Sequence, residues 1–151
     1  MQQAVAGRTP AHLWIVGILS LLWNLFGAYD YLMTRLHNVA YIQKSMAGVD
    51  PTAALAWIDG MPFYAQVGWG LGVWGAVLGS VLLLMRSRWA VWSFGASLLG
   101  AIISLGYQVA LAPPLAGANA TMMKVTPLII LVICAALFRY ARSQATKGVL
   151  R

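Results

Sequence analysis

Four long apolar runs alternate with polar connections along this chain of 151 residues. The runs cover residues of about 11–32, 62–85, 89–111 and 121–140. Each is close to the length of about 20 apolar residues that an α-helix needs to cross a bilayer. The pattern therefore predicts an all-α fold, an integral membrane four-helix up-down bundle that forms a single transmembrane domain.

The connection between the first two runs, residues 33–61, is the longest and carries a helix signal of its own. Asp50 suits an N-cap and Pro51 suits the first helical position, so a short interfacial helix is predicted over residues 51–58. Gly60 follows, and as a glycine it is able to end that helix in the left-handed conformation. The apolar side chains of this helix would let it lie on the membrane surface.

The other two connections between apolar runs predict less about the structure. Residues 86–88 form the whole link between the second and third runs, so these two helices are expected to be antiparallel neighbours. Residues 112–120 form a loop before the fourth run. Pro127 either begins the fourth helix or kinks it one turn inside, and the sequence leaves both interpretations open.

The composition supports a membrane protein. Charged residues make up 9% of the chain and hydrophobic residues 61%, with a mean hydropathy of +0.76. A soluble domain carries about 25% charged residues, so these few charges cannot cover a water-facing surface. The formal net charge is +7, but the cations lie in the gaps between apolar runs. That placement favours a role in topology and argues against nucleic-acid binding.

The cations divide unevenly between the two sides. One side receives Arg8, Arg86, Arg88, Arg139, Arg142, Lys147 and Arg151, and the other receives Arg35, Lys44 and Lys124. The positive-inside rule then predicts that both termini are cytoplasmic. A basic start before an apolar run is also typical of a signal peptide, but the first run is longer than a usual h-region, so we interpret it as a retained span.

The second run presents small residues on one helix face, at the spacing i, i+4, i+7 and i+11: Gly68, Gly72, Gly75 and Gly79. The third run offers two stripes of small residues, one formed by Ala96, Gly100 and Ser104 and the other by Ser93, Ser97 and Ala101. In lipid, small residues let helix backbones approach closely. The sequence indicates helix packing here, either within the chain or with a partner.

Polar side chains near the side with the longer connections form a candidate polar pocket, capped by the interfacial helix: Asn24, Asp30, Tyr31, Gln66, Tyr107, Gln108 and Lys124. An acid within a span is a functional-site hypothesis, and the expected partners of Asp30 are Lys124 and Arg35. The alternative is that Asp30 lies at the headgroup level, solvated or ion-paired. Asn24 needs a hydrogen bond in the bilayer, either as a link between helices or as a ligand contact.

Catalytic and metal-binding patterns are not found. His12 and His37 belong to opposite sides, and Cys134 is the single cysteine. We therefore predict no enzyme activity, no metal and no cofactor. The predicted partner is the lipid bilayer, with a homo-oligomer or a membrane-protein partner left open and no nucleic acid.

Three groups of residues carry a resemblance to a known family: Leu22-Trp23-Asn24 with Gly27 and Asp30-Tyr31; Trp69 with Val73-Trp74-Gly75, Leu78-Gly79-Ser80 and Leu82-Leu83-Leu84; and Arg88-Trp89-Ala90-Val91. They resemble small four-span bacterial inner-membrane proteins that often carry the label sugar transporter or uncharacterised. The layout is also similar to that of DoxX-type four-helix membrane proteins. The resemblance implies an inner-membrane location and a transporter-like or transport-accessory role for an unidentified solute.

A second hypothesis is a structural or assembly subunit that packs through its glycine face in a larger membrane complex. A bundle of this size would have to oligomerise to enclose a pathway wide enough for a sugar.

Overall fold

A computed structural model describes residues 9–151, so Arg8 lies outside the described residues. This part of the chain contains no strand and forms six helices: α1 (Ala11–Arg35), α2 (Val39–Ser45), α3 (Pro51–Asp59), α4 (Phe63–Leu84), α5 (Trp89–Ala110) and α6 (Ala120–Thr146). Four of them, α1, α4, α5 and α6, are long and apolar enough to cross a membrane. The predicted all-α four-helix membrane fold is confirmed.

The first and fourth spans are longer than the apolar pattern indicates. A helix ends where its backbone is capped rather than where apolar residues stop, so α1 continues to Arg35 and α6 to Thr146. At the start of α6, the side chain of Asn119 accepts hydrogen bonds from the N–H groups of Thr121 and Met122. Pro127 therefore lies well inside α6 and does not begin it.

The four spans pack in the order α1, α4, α5, α6, each against the next. The predicted pairing of the second and third spans is confirmed, because α4 and α5 make the most extensive contact in the described chain. The link between them is short, and Arg86 adopts a positive φ of 59° in it. This α4–α5 seam is the rigid centre of the bundle.

Glycine makes the seam possible. A Cβ added to Gly100 would lie 2.5 Å from the Gly68 carbonyl oxygen, and one added to Gly79 would lie 2.7 Å from the Phe94 ring. Gly72 and Gly75 face Ser97 in the same way, so all four glycines of the predicted face pack on α5. Close approach of two backbones, rather than apolar side-chain burial, holds this pair together.

Serine hydroxyls reinforce the same seam. Ser93 Oγ donates to the Gly75 carbonyl oxygen at 2.8 Å, and Ser97 Oγ donates to the Gly72 carbonyl oxygen at 2.5 Å. Ala96, which the sequence assigned to helix packing, is not among the atoms nearest to the four glycines. The stripe that contains Ser93 and Ser97 meets α4, and so does Gly100 of the other stripe.

One end of the bundle, here called the terminal end, holds the first residues of α1 and the C-terminal tail. A hydrophobic cluster there draws on every span and on the tail: Leu13, Leu83, Ala90, Phe94, Leu137, Ala141 and Leu150. Arg151 also pairs through its backbone with Arg86 and Arg88, at 2.7 and 2.8 Å. The four spans and the tail thus share one buried cluster at this end.

The opposite end, here called the loop end, is covered by a lid made of α2, α3 and residues 111–119. Its small core consists of Ile42, Val49, Ala54 and Leu115. Trp57 of α3 donates its indole N–H to the Pro113 carbonyl oxygen at 2.7 Å. The predicted interfacial helix is therefore present as α3, but it packs on the protein as part of a lid.

Two local features of the lid differ from the sequence predictions. The helix α2 was not predicted, although Asn38 caps it by accepting a hydrogen bond from the Tyr41 N–H. Gly60 is not left-handed, since its φ is −73°. The chain stays right-handed there because it makes a further turn, in which the Met61 N–H donates to the Ile58 carbonyl oxygen. The left-handed cap at Gly60 is therefore not used, whereas Asp50 caps α3 as predicted.

Candidate functional site

A cavity of about 460 Å³, here called the deep chamber, lies between the four spans in the half of the bundle nearer the loop end. All four spans contribute to its wall: α1 from Trp23 to Asp30, α4 from Trp69 to Ala76, α5 from Ala101 to Leu105, and α6 from Thr126 to Cys134. At the terminal end, His12 of α1 lies within hydrogen-bond distance of Tyr140 of α6, whereas nearer the loop end the chamber lies between these two helices. Its volume lies within the range of about 300–1,000 Å³ that is typical of small-molecule sites.

A second cavity of about 590 Å³, here called the outer chamber, lies between the lid and the spans. Ile42, Trp57 and Leu115 of the lid face it. The two chambers adjoin at a junction of five residues that line both: Asp30, Trp69, Leu105, Thr126 and Ile130. Among the described residues, Asp30 is the one charged side chain on either wall.

The deep chamber also opens sideways between α1 and α6. Trp23, Phe26 and Ile129 line it, yet these side chains are 46%, 66% and 51% exposed. In a bilayer, side chains this exposed at mid-span contact lipid. The deep chamber therefore has a side opening toward the hydrocarbon region as well as contact with the outer chamber.

The environment of Asp30 differs from the prediction. Its Oδ1 accepts a hydrogen bond from the Tyr41 hydroxyl of α2 at 2.7 Å. The predicted partners were wrong: Arg35 donates to Gln66 Oε1 at 3.0 Å, and Lys124 is exposed and lines neither chamber. Among residues 9–151 the ion pair formed is that of His37 with Asp59, so Asp30 has no cationic partner there.

Burial and the hydrogen bond to Asp30 together favour the protonated form of Tyr41. Burial raises the pKa of Tyr41 to about 12, and the hydrogen bond to Asp30 and the negative charge of that carboxylate add to the effect. At neutral pH the phenol is therefore a fixed donor to Asp30. It ties α2 of the lid to α1 at the junction of the chambers.

Asn24 plays the structural role that the sequence left open. Its Nδ2 donates to Ser80 Oγ at 2.9 Å and to the Ala76 carbonyl oxygen at 3.2 Å, which links α1 to α4. Asn24 is buried and also lines the deep chamber. Its Oδ1 receives no hydrogen bond within residues 9–151, so the same side chain offers an acceptor to the chamber.

Ser104 is the second polar group on this wall without a partner. The residue is 1% exposed and lines the deep chamber, and its Oγ has no hydrogen bond to any described residue. A buried hydroxyl without a partner is costly. Because that oxygen has almost no accessible surface, a molecule in the chamber would reach it only if the surrounding side chains shifted.

The remaining residues of the predicted pocket have other positions. Gln108 lines the outer chamber. Tyr31 packs edge-on against Trp69 and Trp74, and Tyr107 packs edge-on against Tyr64. Gln66 lines neither chamber, and its Nε2 donates to the carbonyl oxygens of Asp59 and Met61.

Through these hydrogen bonds Gln66 links the end of the lid to the first turn of α4. Of the seven predicted pocket residues, the structure brings Asn24, Asp30 and Gln108 to the chamber walls. Sequence reasoning missed Tyr41, Trp69 and Thr126. The signal available for Trp69 and Thr126 was helical spacing from other pocket residues, whereas nothing in the sequence pairs Tyr41 with Asp30.

Within residues 9–151, no group of three or more His, Cys, Asp or Glu side chains is arranged to hold a metal ion. The chemistry that the chambers offer is binding through one carboxylate, a few neutral polar groups and aromatic rings. Comparison of the chain with protein families, with curated proteins and with solved structures finds no match.

Proposed function

We propose that the protein resides in a bacterial inner membrane with both termini in the cytoplasm, and that it binds a small solute in its chambers as a transporter or transport-accessory protein. The orientation is supported by charge. Six cations lie at the terminal end (Arg86, Arg88, Arg139, Arg142, Lys147 and Arg151), while the three acids lie at the loop end with three cations. The chambers would then face the periplasmic side.

The observation that carries the proposal is the contrast between a closed terminal end and two adjoining chambers at the loop end. A site near mid-bilayer that is reached from one side is the arrangement expected of one state in alternating access. The side chains that close the other side are those of the terminal-end cluster, which includes Leu13, Leu83 and Leu137. A purely structural bundle has no need of two chambers that meet at a carboxylate.

The walls favour a solute less polar than a sugar. A sugar requires a hydrogen-bonding partner for most of its hydroxyls, because unpaired buried polar groups are costly. In the deep chamber, the side-chain amides, carboxylates and hydroxyls are those of Asn24, Asp30, Ser104 and Thr126. The rest of the wall is aliphatic, aromatic or glycine, apart from Cys134, so the sugar part of the family label has little support in these contacts.

The experiment blocks the junction and compares it with a matched change on the same helix. Ile130 lines both chambers, whereas Val132 lines neither and is 68% exposed. Right-side-out and inverted vesicles carrying the wild type, Ile130→Trp or Val132→Trp would be incubated with a cell extract. Retained solutes would then be compared by untargeted mass spectrometry.

We expect at least one solute to be retained by wild-type and Val132→Trp vesicles and lost with Ile130→Trp. Retention should be stronger in right-side-out vesicles, because the chambers face the periplasmic side in the proposed orientation. If the three proteins retain the same solutes in both vesicle types, the proposal is wrong.

The alternative role as an assembly subunit loses the feature that motivated it. The glycine face of α4 is occupied by α5 of the same chain, through Gly68, Gly72, Gly75 and Gly79. It is therefore not free to contact another protein.

A further inference from the structure

We propose that the chambers bind a lipophilic organic cation, a molecule with an apolar or aromatic body and one positive charge. This inference rests on the proposed solute-binding function and names the chemical class of the solute. The positive charge would lie at the junction beside Asp30, and the apolar body would occupy the deep chamber.

The carboxylate is the first support. Asp30 lines both chambers, and of its two oxygens only Oδ1 accepts a hydrogen bond from a described residue, that of Tyr41. Arg35, the nearest cation along the chain, is bonded to Gln66 instead. A carboxylate within a span normally has a partner of opposite charge. Here Oδ2 is left for a cation that the described residues do not supply.

The aromatic rings are the second support. Trp69 lies at the junction with Asp30, and Trp23 and Phe26 line the deep chamber close by. The face of an aromatic ring attracts a cation, and the attraction is stronger where water is excluded. A carboxylate together with indole and phenyl rings favours a cation over a neutral or anionic molecule of the same shape.

The route of access is the third support. The side opening between α1 and α6, formed by Trp23, Phe26 and Ile129, leads from the hydrocarbon region into the deep chamber. Lipophilic cations partition into bilayers, whereas hydrophilic cations do not. The acids and cations at the loop end are equal in number, so no excess positive charge there repels such a molecule.

One polar group would refine the choice among such cations. Asn24 lines the deep chamber, and its Oδ1 accepts no hydrogen bond from a described residue. A cation whose body carries a hydrogen-bond donor would pair with it.

The test uses three probes of similar size and different charge: tetraphenylphosphonium, its anionic counterpart tetraphenylborate, and neutral triphenylphosphine oxide. Saturable binding to the full-length protein in lipid nanodiscs would be measured by equilibrium dialysis against empty nanodiscs. The variants are Asp30→Asn, which keeps an acceptor for Tyr41, and Asp50→Asn as the control. Asp50→Asn removes the same charge at the loop end, and asparagine is an equally good N-cap for α3.

We expect the wild type and Asp50→Asn to bind tetraphenylphosphonium saturably, and Asp30→Asn to bind it about tenfold more weakly or worse, since a charge interaction in a low-dielectric site is lost. Tetraphenylborate should bind the wild type about tenfold more weakly than tetraphenylphosphonium or worse. Each variant should elute as the wild type does in size-exclusion chromatography. An Asp30→Asn protein that does not would be replaced by Ile130→Trp, which blocks the junction without touching the charge.

Two results overturn the inference. If triphenylphosphine oxide binds as tightly as the cation and Asp30→Asn changes neither, the chambers bind a ligand but do not select positive charge, and the proposed function stands. If no probe binds saturably, the cation class is wrong, and the solute comparison with Ile130→Trp decides separately whether the proposed function is also wrong.

Discussion

The terminal end and the loop end are built from the same four spans but differ in packing: one holds a buried cluster and the other holds two chambers. At the terminal end every span contributes to one cluster, with Leu13, Leu83 and Ala141 fully buried, and the charges around it are all positive. At the loop end the spans α1 and α6 separate, two chambers occupy the space, and acids and cations balance. The difference indicates that the terminal end stabilises the bundle, while the loop end holds the candidate site.

The α4–α5 seam is what allows the two ends to differ. It extends from Gly68 and Gly100 in the loop half to Gly79 and Phe94 in the terminal half. Because the central pair is held along its length, the outer spans α1 and α6 can diverge around the chambers without loosening the core. Three predictions test this division, beginning with the seam.

The largest effect is expected for Gly100→Leu. The added Cβ would lie 2.5 Å from the Gly68 carbonyl oxygen and 2.7 Å from the Gly72 nitrogen, and backbone atoms cannot move aside as a side chain can. We expect destabilisation of about 3 kcal/mol or more, since the two helices must separate. Thermal unfolding in mild detergent and the yield of monodisperse protein measure it.

Gly106→Leu is the matched control for that variant. Gly106 belongs to the same helix, is exposed, and a Cβ there would meet nothing within 4 Å. The control should unfold at or slightly above the wild-type temperature, because glycine is a poor helix former. Equal losses for the two variants would show that the seam does not depend on close backbone approach.

A smaller effect separates the two ends directly. Leu83→Ala in the terminal-end cluster leaves a new hole among close-packed side chains, and we expect it to cost about 2–4 kcal/mol. Leu105→Ala at the junction only enlarges a chamber that already exists, so we expect about half that cost. Both are read from unfolding in the same detergent. A Leu105→Ala protein that is the less stable of the two would contradict the division into a packed end and a site-bearing end.

The smallest effect concerns the lid. Because the pKa of Tyr41 is raised from 10.0 to about 12 in the folded protein, its protonated form is favoured by folding. The stability that this phenol contributes is complete below about pH 10 and is lost as the pH rises toward about 12. The difference between the phenolate absorbance of the wild type and of Tyr41→Phe isolates its titration.

That titration should have its midpoint near 12, and Asp30→Asn should lower the midpoint only in part, because burial is the larger cause. A midpoint near 10.0 would mean that Tyr41 is not held against Asp30. The lid would then be held by its apolar contacts and by the hydrogen bonds of Trp57, His37 and Gln66.

The sequence predicts those features of the structure that depend on a pattern within one helix, and it does not predict contacts between distant segments. The apolar runs, the glycine face and the Asp50 cap are patterns along one helix, so the spans, the seam and the start of α3 could be predicted. The partner of Asp30 is Tyr41 of α2, a seven-residue helix without a periodic apolar pattern. That contact depends on how the lid folds back, which no local pattern encodes.

The predicted pocket was right in place and wrong in several members for the same reason. Asn24 and Asp30 point inward because a buried amide and an acid in a span must find partners. Lys124 and Gln66 are long side chains near helix ends, where solvent and backbone carbonyls compete for them. The partners of such side chains depend on the tertiary structure. Gln66 of the predicted polar pocket therefore binds carbonyl oxygens at the end of the lid and does not line a chamber.

Pro127 gives the fourth span a mechanical property that the other three lack. Having no N–H, it leaves the carbonyl oxygen of Met123 without its usual donor, and both residues border the outer chamber. Bending a helix at such a point disrupts one hydrogen bond fewer than bending it elsewhere. Any widening of the outer chamber should therefore occur by a swing of the first two turns of α6, while the rest of that helix keeps its place.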